Sequence, residues 1–235
     1  MKAKREEKGH LKVRILLAIF LVLAAAVLLL YCTSISKLPP YVGRPLTAEE
    51  EKKIIEQNST LTEFVYLTSN ADFPRADKIQ KITIHHMAGN LSLEELGNSF
   101  SKRDRRVSAN YAIDSEGRIA LYVEEGNRAW TSGDKENDDM AVTIEVANDQ
   151  LGDDWHVSSA AYDALIELCA DICKRNGISE LVFTGDADGS LTLHYMFYED
   201  TECPGPYLKA KMPEIAASVN RRLAEDGRIA PPVPD

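Results

Sequence analysis

Residues 141–147 read AVTIEVA, a β-branched run broken by a single acid, Glu145. Alternation and branching of this kind predict a strand. A carboxylate inside such a strand needs a partner, so Glu145 belongs to a buried network or to a working site. Downstream, Tyr162, Leu165, Ile166, Cys169, Ile172 and Cys173 lie at helical spacing within Ser158–Asn176, and Gly177 is a natural stop. Upstream, Lys81–Ile84 (KITI) is a second β-rich run, ending in His85-His86.

The remaining elements fit between these. Ser92–Phe100 has helical spacing at Leu93, Leu96 and Phe100, with Ser92 and Glu95 placed as a capping pair. Ala109–Asp114 and Arg118–Val123 flank Ser115-Glu116-Gly117, a hairpin pattern. A short helix is expected at Ala48–Gln57, a strand at Leu181–Phe183 and a final helix at Met212–Leu223. Strands mixed with helices of this length predict an α/β fold, a single domain with a central mixed sheet flanked by helices.

Ile15 to Tyr31 holds 17 residues without a charge. At 1.5 Å per residue this reaches about 25 Å, near the short end of a bilayer span. The basic flank is N-terminal, so the positive-inside rule places residues 1–14 in the cytoplasm and the remainder outside. The expected organisation is a cytoplasmic segment (1–14), a transmembrane signal-anchor (15–32), an extracytoplasmic spacer (33–75), a catalytic domain (76–225) and a disordered tail (226–235). The expected location is the bacterial cell membrane, with a cleaved signal peptide as the alternative; Leu30-Tyr31-Cys32 lacks the small residues that cleavage favours.

Residues 1–14 hold six bases and two acids, which leaves 21 bases and 35 acids, a net −14, on the rest of the 235-residue chain. An acidic body excludes the basic footprint that nucleic-acid binding needs. Four cysteines, Cys32, Cys169, Cys173 and Cys203, are too few for a disulfide framework. Cys169 and Cys173 lie one helical turn apart and read as free core thiols.

His85, His194 and Cys203 are zinc-ligand residue types. Their wide separation in sequence makes this a weak signal taken alone, since a lone His or Cys is more often structural. The wording around them carries more. ITIHHMAG (Ile82–Gly89), SANYAIDSEGRIALYV (Ser108–Val123), VTIEVAN (Val142–Asn148) and LTLHYMFYEDTECPGPYL (Leu191–Leu208) resemble the amidase-2 family. That family includes phage amidase endolysins and the peptidoglycan recognition proteins. The resemblance spans about Ala76 to Leu223.

By that resemblance His85, His194 and Cys203 hold Zn2+, and the chain is an N-acetylmuramoyl-L-alanine amidase acting on peptidoglycan. A non-catalytic peptidoglycan-binding receptor of the same fold is the alternative. Tyr111 and Thr201 are implied to stabilise an oxyanion or move protons, and Glu145 to shuttle a proton. Trp130 and His86 are the candidates for touching substrate, although strand alternation turns His86 to the face opposite His85. Many relatives carry a histidine after Arg128-Ala129-Trp130, where this chain has Thr131. Lys102–Arg106 (KRDRR) reads as a solvated surface, and Asp186-Ala187-Asp188-Gly189 as a plain loop without the later Glu of a calcium site.

Overall fold

The computed structural model describes residues 16–24 and 38–226. The chain divides into two compact units, 1–37 and 38–235. In the first, residues 16–24 form a helix, α1. The rest of the expected anchor lies outside the described residues, as do the basic segment and residues 227–235 of the expected tail. Among the described residues no helix is long and apolar enough to cross a membrane.

The second unit opens with α2 (Ala48–Gln57). The Thr47 hydroxyl accepts the Glu50 N–H, and the Glu50 carboxylate accepts the Thr47 N–H, so two amides left free by the helix geometry find partners. Six strands then build the main sheet: β1 (Phe64–Val65), β3 (Lys81–His86), β4 (Tyr111–Ile113), β5 (Ile119–Leu121), β7 (Ala141–Val146) and β8 (Leu191–Leu193). Their order is β1-β5-β4-β7-β3-β8. Only β4 and β5, joined by the hairpin, pair antiparallel. β2 (Ala71–Asp72) and β6 (Arg128–Ala129) form a separate antiparallel pair, and α4 (Lys135–Met140) leads straight into β7.

The period of two along each strand sorts the side chains. Ile82, Ile84, Val142, Ile144, Leu191 and Leu193 face α5 (Ser159–Asn176) and α6 (Gly205–Asp226), in the core with Leu165, Ile172, Met212 and Ile215. On the other face Ala112, Ala120 and Tyr122 meet Leu93, Leu96 and Phe100 of α3 (Leu93–Phe100). A polar lane runs through this second face: Thr83, His85, Thr143, Glu145 and Thr192. Thr83 and Thr192 bond through their hydroxyls at 2.9 Å. In a sheet covered on both faces such residues need internal partners, and this lane carries the site.

Three expectations are corrected. The spacer is, from Leu38 onward, part of the folded unit. Ile54 is buried, β1 forms a sheet edge, and the Arg75 guanidinium donates to the carbonyls of Glu125, Asn127, Asp139 and Ala141. Leu181–Phe183 is not a strand, because the Asn220 amide of α6 takes both backbone groups of Leu181 in place of a ladder. The last helix starts at Gly205, well before Met212; Pro206 falls in its first turn, where no amide partner is needed. Cys169 and Cys173 are buried and free, as read.

Candidate metal centre

The parallel ladder sets the first two ligands side by side. Ile84 pairs with Leu193, so His85 near the end of β3 and His194 just past β8 meet, with ring centroids 4.6 Å apart. Cys203 is brought in by the turn before α6. Its carbonyl accepts the Tyr195 N–H at 3.1 Å, and its Sγ accepts the His86 N–H at 3.4 Å. Gly205, at φ +83, lets this turn close against the Trp155 loop, where an added Cβ would stand 2.9 Å from Trp155 Cβ.

One donor atom from each of His85, His194 and Cys203 lies within 4.8 Å of the others. Cys203 Sγ is 3.7 Å from His85 Nδ1. Tetrahedral zinc, with about 2.3 Å to sulfur and about 2.05 Å to nitrogen, sets such a pair roughly 3.6 Å apart. The donor set and its spacing therefore fit that ion. Burial, together with the neighbouring histidines, holds His85 well below the usual histidine range. Burial also lowers His194, against a hydrogen bond from its ring to the Ser132 backbone. Neutral imidazoles are the form that binds metal. Burial, reinforced by Glu145, pushes the Cys203 thiol up; a bound cation reverses that preference.

Glu145 is the register partner of His85 and leaves the sheet on the same face. Burial pushes its carboxyl up to about 8, and its Oε2 has no hydrogen-bond partner. It opens on a cavity of about 210 Å³ that it shares with His194, Thr131 and the apolar Leu96 and Phe100. A second hollow of about 430 Å³ also reaches His194 and Thr131, and is lined by Trp130, Arg106, Arg128 and Tyr198. Together they make a groove with His194 at the junction. Trp130 stands on it, its indole N–H donating to Asp72 at 3.0 Å. Thr131, where relatives carry histidine, bonds Thr143 through its hydroxyl at 2.8 Å. The Thr201 hydroxyl accepts the Cys203 N–H at 3.2 Å and faces a separate hollow with Glu199 and Glu202.

Two expected site residues stand elsewhere. Tyr111 pairs with Ile144 rather than Glu145, so its ring enters the opposite face. It is fully buried there, and its hydroxyl donates to Glu125 at 2.7 Å; Glu125 is also held by Arg175 and Asn176. The phenol serves a buried ionic cluster, not the metal centre. His86 turns away as alternation requires, and its ring packs edge-on against Trp155 at 5.1 Å. Only its backbone amide serves the site.

Ser132 and Asp138 join the site from outside the residues that the sequence singles out. Ser132 reaches His194 through its backbone, and the buried Asp138 carboxylate accepts from Thr131 N, Ser132 N and Ser132 Oγ. The only sequence signal was the density of short polar residues in 131–139.

A sequence model described as N-acetylmuramoyl-L-alanine amidase (Amidase_2) matches residues 75–206. No curated protein matches the chain. Among solved structures, the Staphylococcus aureus hydrolase AmiA, determined in complex with its ligand, aligns with TM-score 0.54 at 15% identity, over 83% of this chain and 100% of that one. PlyL aligns with TM-score 0.53 at 15% identity, over 66% of this chain and 95% of its own. The catalytic domain of XlyA gives 0.50 at 14%, over 66% and 98%. At these identities the structural likeness is one of fold.

Proposed function

Since the chain belongs to the N-acetylmuramoyl-L-alanine amidase family, we propose that it is a zinc-dependent hydrolase of the amide between N-acetylmuramic acid and L-alanine in peptidoglycan. The observation that carries this reading is the convergence of His85, His194 and Cys203 beside Glu145, at the junction of a groove. A receptor that only binds needs no such donor set.

His85, His194 and Cys203 would hold the ion, a set of three that leaves one tetrahedral corner open. When bound, zinc polarises a carbonyl oxygen and makes water acidic enough to act near neutral pH. The residues do the rest. Glu145, with Oε2 unpartnered, takes a proton from the attacking water and passes it to the leaving alanine nitrogen. Its place on the same face as His85, as that residue's register partner, suits the carboxylate to that work. Thr201, whose hydroxyl accepts the Cys203 amide, holds the turn that carries the thiolate. Trp130 and the groove walls seat the substrate. Tyr111 has no part in these steps.

The uncharged run over 15–31 and its basic flank support an anchor that holds the enzyme on the outer face of the bacterial membrane, within reach of the wall. Digestion of purified peptidoglycan tests the activity. New alanine amino termini without new reducing sugar ends are expected; binding without cleavage, or reducing ends alone, would overturn it.

A further inference from the structure

His194 is a ligand that no strand holds directly. It begins a single turn of 3-10 helix, His194–Met196, beyond the end of β8, so the ladder that orients His85 does not reach it. The His85 ring stands against its own, centroids 4.6 Å apart, and two further groups adjoin it. Tyr198 lies against it, centroids 6.2 Å apart and planes 29° from parallel, but Tyr198 is itself half exposed. The other is the backbone of Ser132, in a loop with no strand of its own whose Thr131 lines both hollows with His194 and whose Gly133 adjoins Tyr198.

One carboxylate gathers the amides of that loop. Asp138 Oδ2 accepts the Thr131 N–H at 3.0 Å, and Oδ1 accepts the Ser132 hydroxyl at 2.7 Å. The Ser132 N–H adds a shared bond at 3.2 Å to both oxygens. Asp138 is 2% exposed, and its nearest cation, Arg128, stands at 4.0 Å. A carboxylate accepts at several sites and donates at none, which suits it to gather three donors at once. Its own position is fixed from behind, because α4 is capped by Asp134, whose side chain accepts the Asn137 N–H at 2.7 Å.

We infer that Asp138 is a positioning residue for the metal centre, acting through Ser132 to orient the His194 ring. The inference rests on the zinc reading above and assigns the outer support of one of its ligands. Partners that orient a metal-bound imidazole are commonly worth 10–100-fold in metal affinity. Here the partner is a backbone group, so the side chain that matters is one step further out.

The test is zinc affinity of the purified chain by chelator competition, with cobalt(II) spectra as a report on ligand geometry. Asp138→Asn places a donor where an acceptor is required, and zinc should bind 10–100-fold more weakly with an altered cobalt spectrum. Ser132→Ala removes the 2.7 Å hydroxyl contact to Asp138 with the longer ones to Asp134 and Asn137, and a loss of at least threefold is expected; it decides the matter should Asp138→Asn fail to fold. Tyr111→Phe, which loosens the opposite face, is the control and should leave affinity unchanged. If wild type binds zinc and the folded variants stay within twofold of it, or Tyr111→Phe weakens binding equally, the positioning role is wrong. A wild-type chain that retains no zinc overturns the metal reading itself and this inference with it.

Discussion

His85 and Glu145 are direct register partners across the parallel β3–β7 ladder, so both side chains leave the sheet on one face at one level. A candidate metal ligand and the carboxylate proposed to serve it are thus placed by strand pairing alone. The Cys203 turn and the residue after β8 then bring the other two donors to that point.

Removing the thiolate should abolish metal retention without dissolving the fold. Within the protein Cys203 Sγ meets only polar partners, the His86 amide and His85 Nδ1, among the described residues, and the core beneath it belongs to α5 and α6. Cys203→Ala is expected to lose stoichiometric zinc and wall cleavage while keeping a wild-type far-UV spectrum. Metal analysis beside the digestion assay checks this. Cleavage at wild-type rate by the metal-stripped variant would end the hydrolase reading.

Glu145→Gln should cut turnover by roughly 10²–10⁴-fold and leave zinc bound. Its effect on the metal-free protein has a definite sign. The carboxyl rises from an ordinary 4.5 to about 8 in the fold, so the folded state holds a proton that the unfolded state has lost. Stability from this group is intact below about 4.5 and drains away as pH climbs to about 8. The Gln variant escapes that loss. Its advantage over wild type should be near zero at pH 4.5 and reach on the order of a few kcal/mol at pH 8. Denaturant midpoints of both metal-free chains at the two pH values measure it; equal midpoints at pH 8 would refute it.

Tyr111→Phe separates the two faces of the sheet. Its hydroxyl bonds a charged Glu125, and losing such a bond costs about 1.5–3 kcal/mol. Turnover per folded molecule should stay within about twofold of wild type, with the cost appearing only in the unfolding midpoint. A hundredfold fall in kcat would mean that the ring reaches the site after all.

The residues that were legible in the sequence and those that were not differ for a physical reason. AVTIEVA and KITI announced their strands, and Ser92 with Glu95 announced a capped helix, because these signals are local. Which face Tyr111 takes depends on its partner across the ladder, and a slip of one residue reverses every side chain. It is Ala112 that pairs with Glu145. The role of residues 38–75 was hidden likewise. Their polar composition suggests a tether, yet β1 needs only two residues, and Arg75 one side chain, to join the domain. Asp138 looks like a solvated acid in NDDM, and only the loop folded over it shows otherwise.

The last prediction concerns the boundary at residue 38. The compact catalytic unit begins at Leu38, and the uncharged run with its basic flank lies wholly before it. Deleting residues 1–37 should therefore cost the fold nothing and abolish membrane association. Deleting residues 1–57 should also remove α2 and the buried Ile54, exposing core at a cost of about 2–5 kcal/mol if the loss resembles truncation of a large apolar side chain. Fractionation of the three chains, with unfolding curves for the soluble ones, reads both effects. Should the full chain be found in the soluble fraction with its mature N-terminus just after Tyr31, the segment is a cleaved leader rather than an anchor. The enzyme would then work at a distance from the membrane that made it.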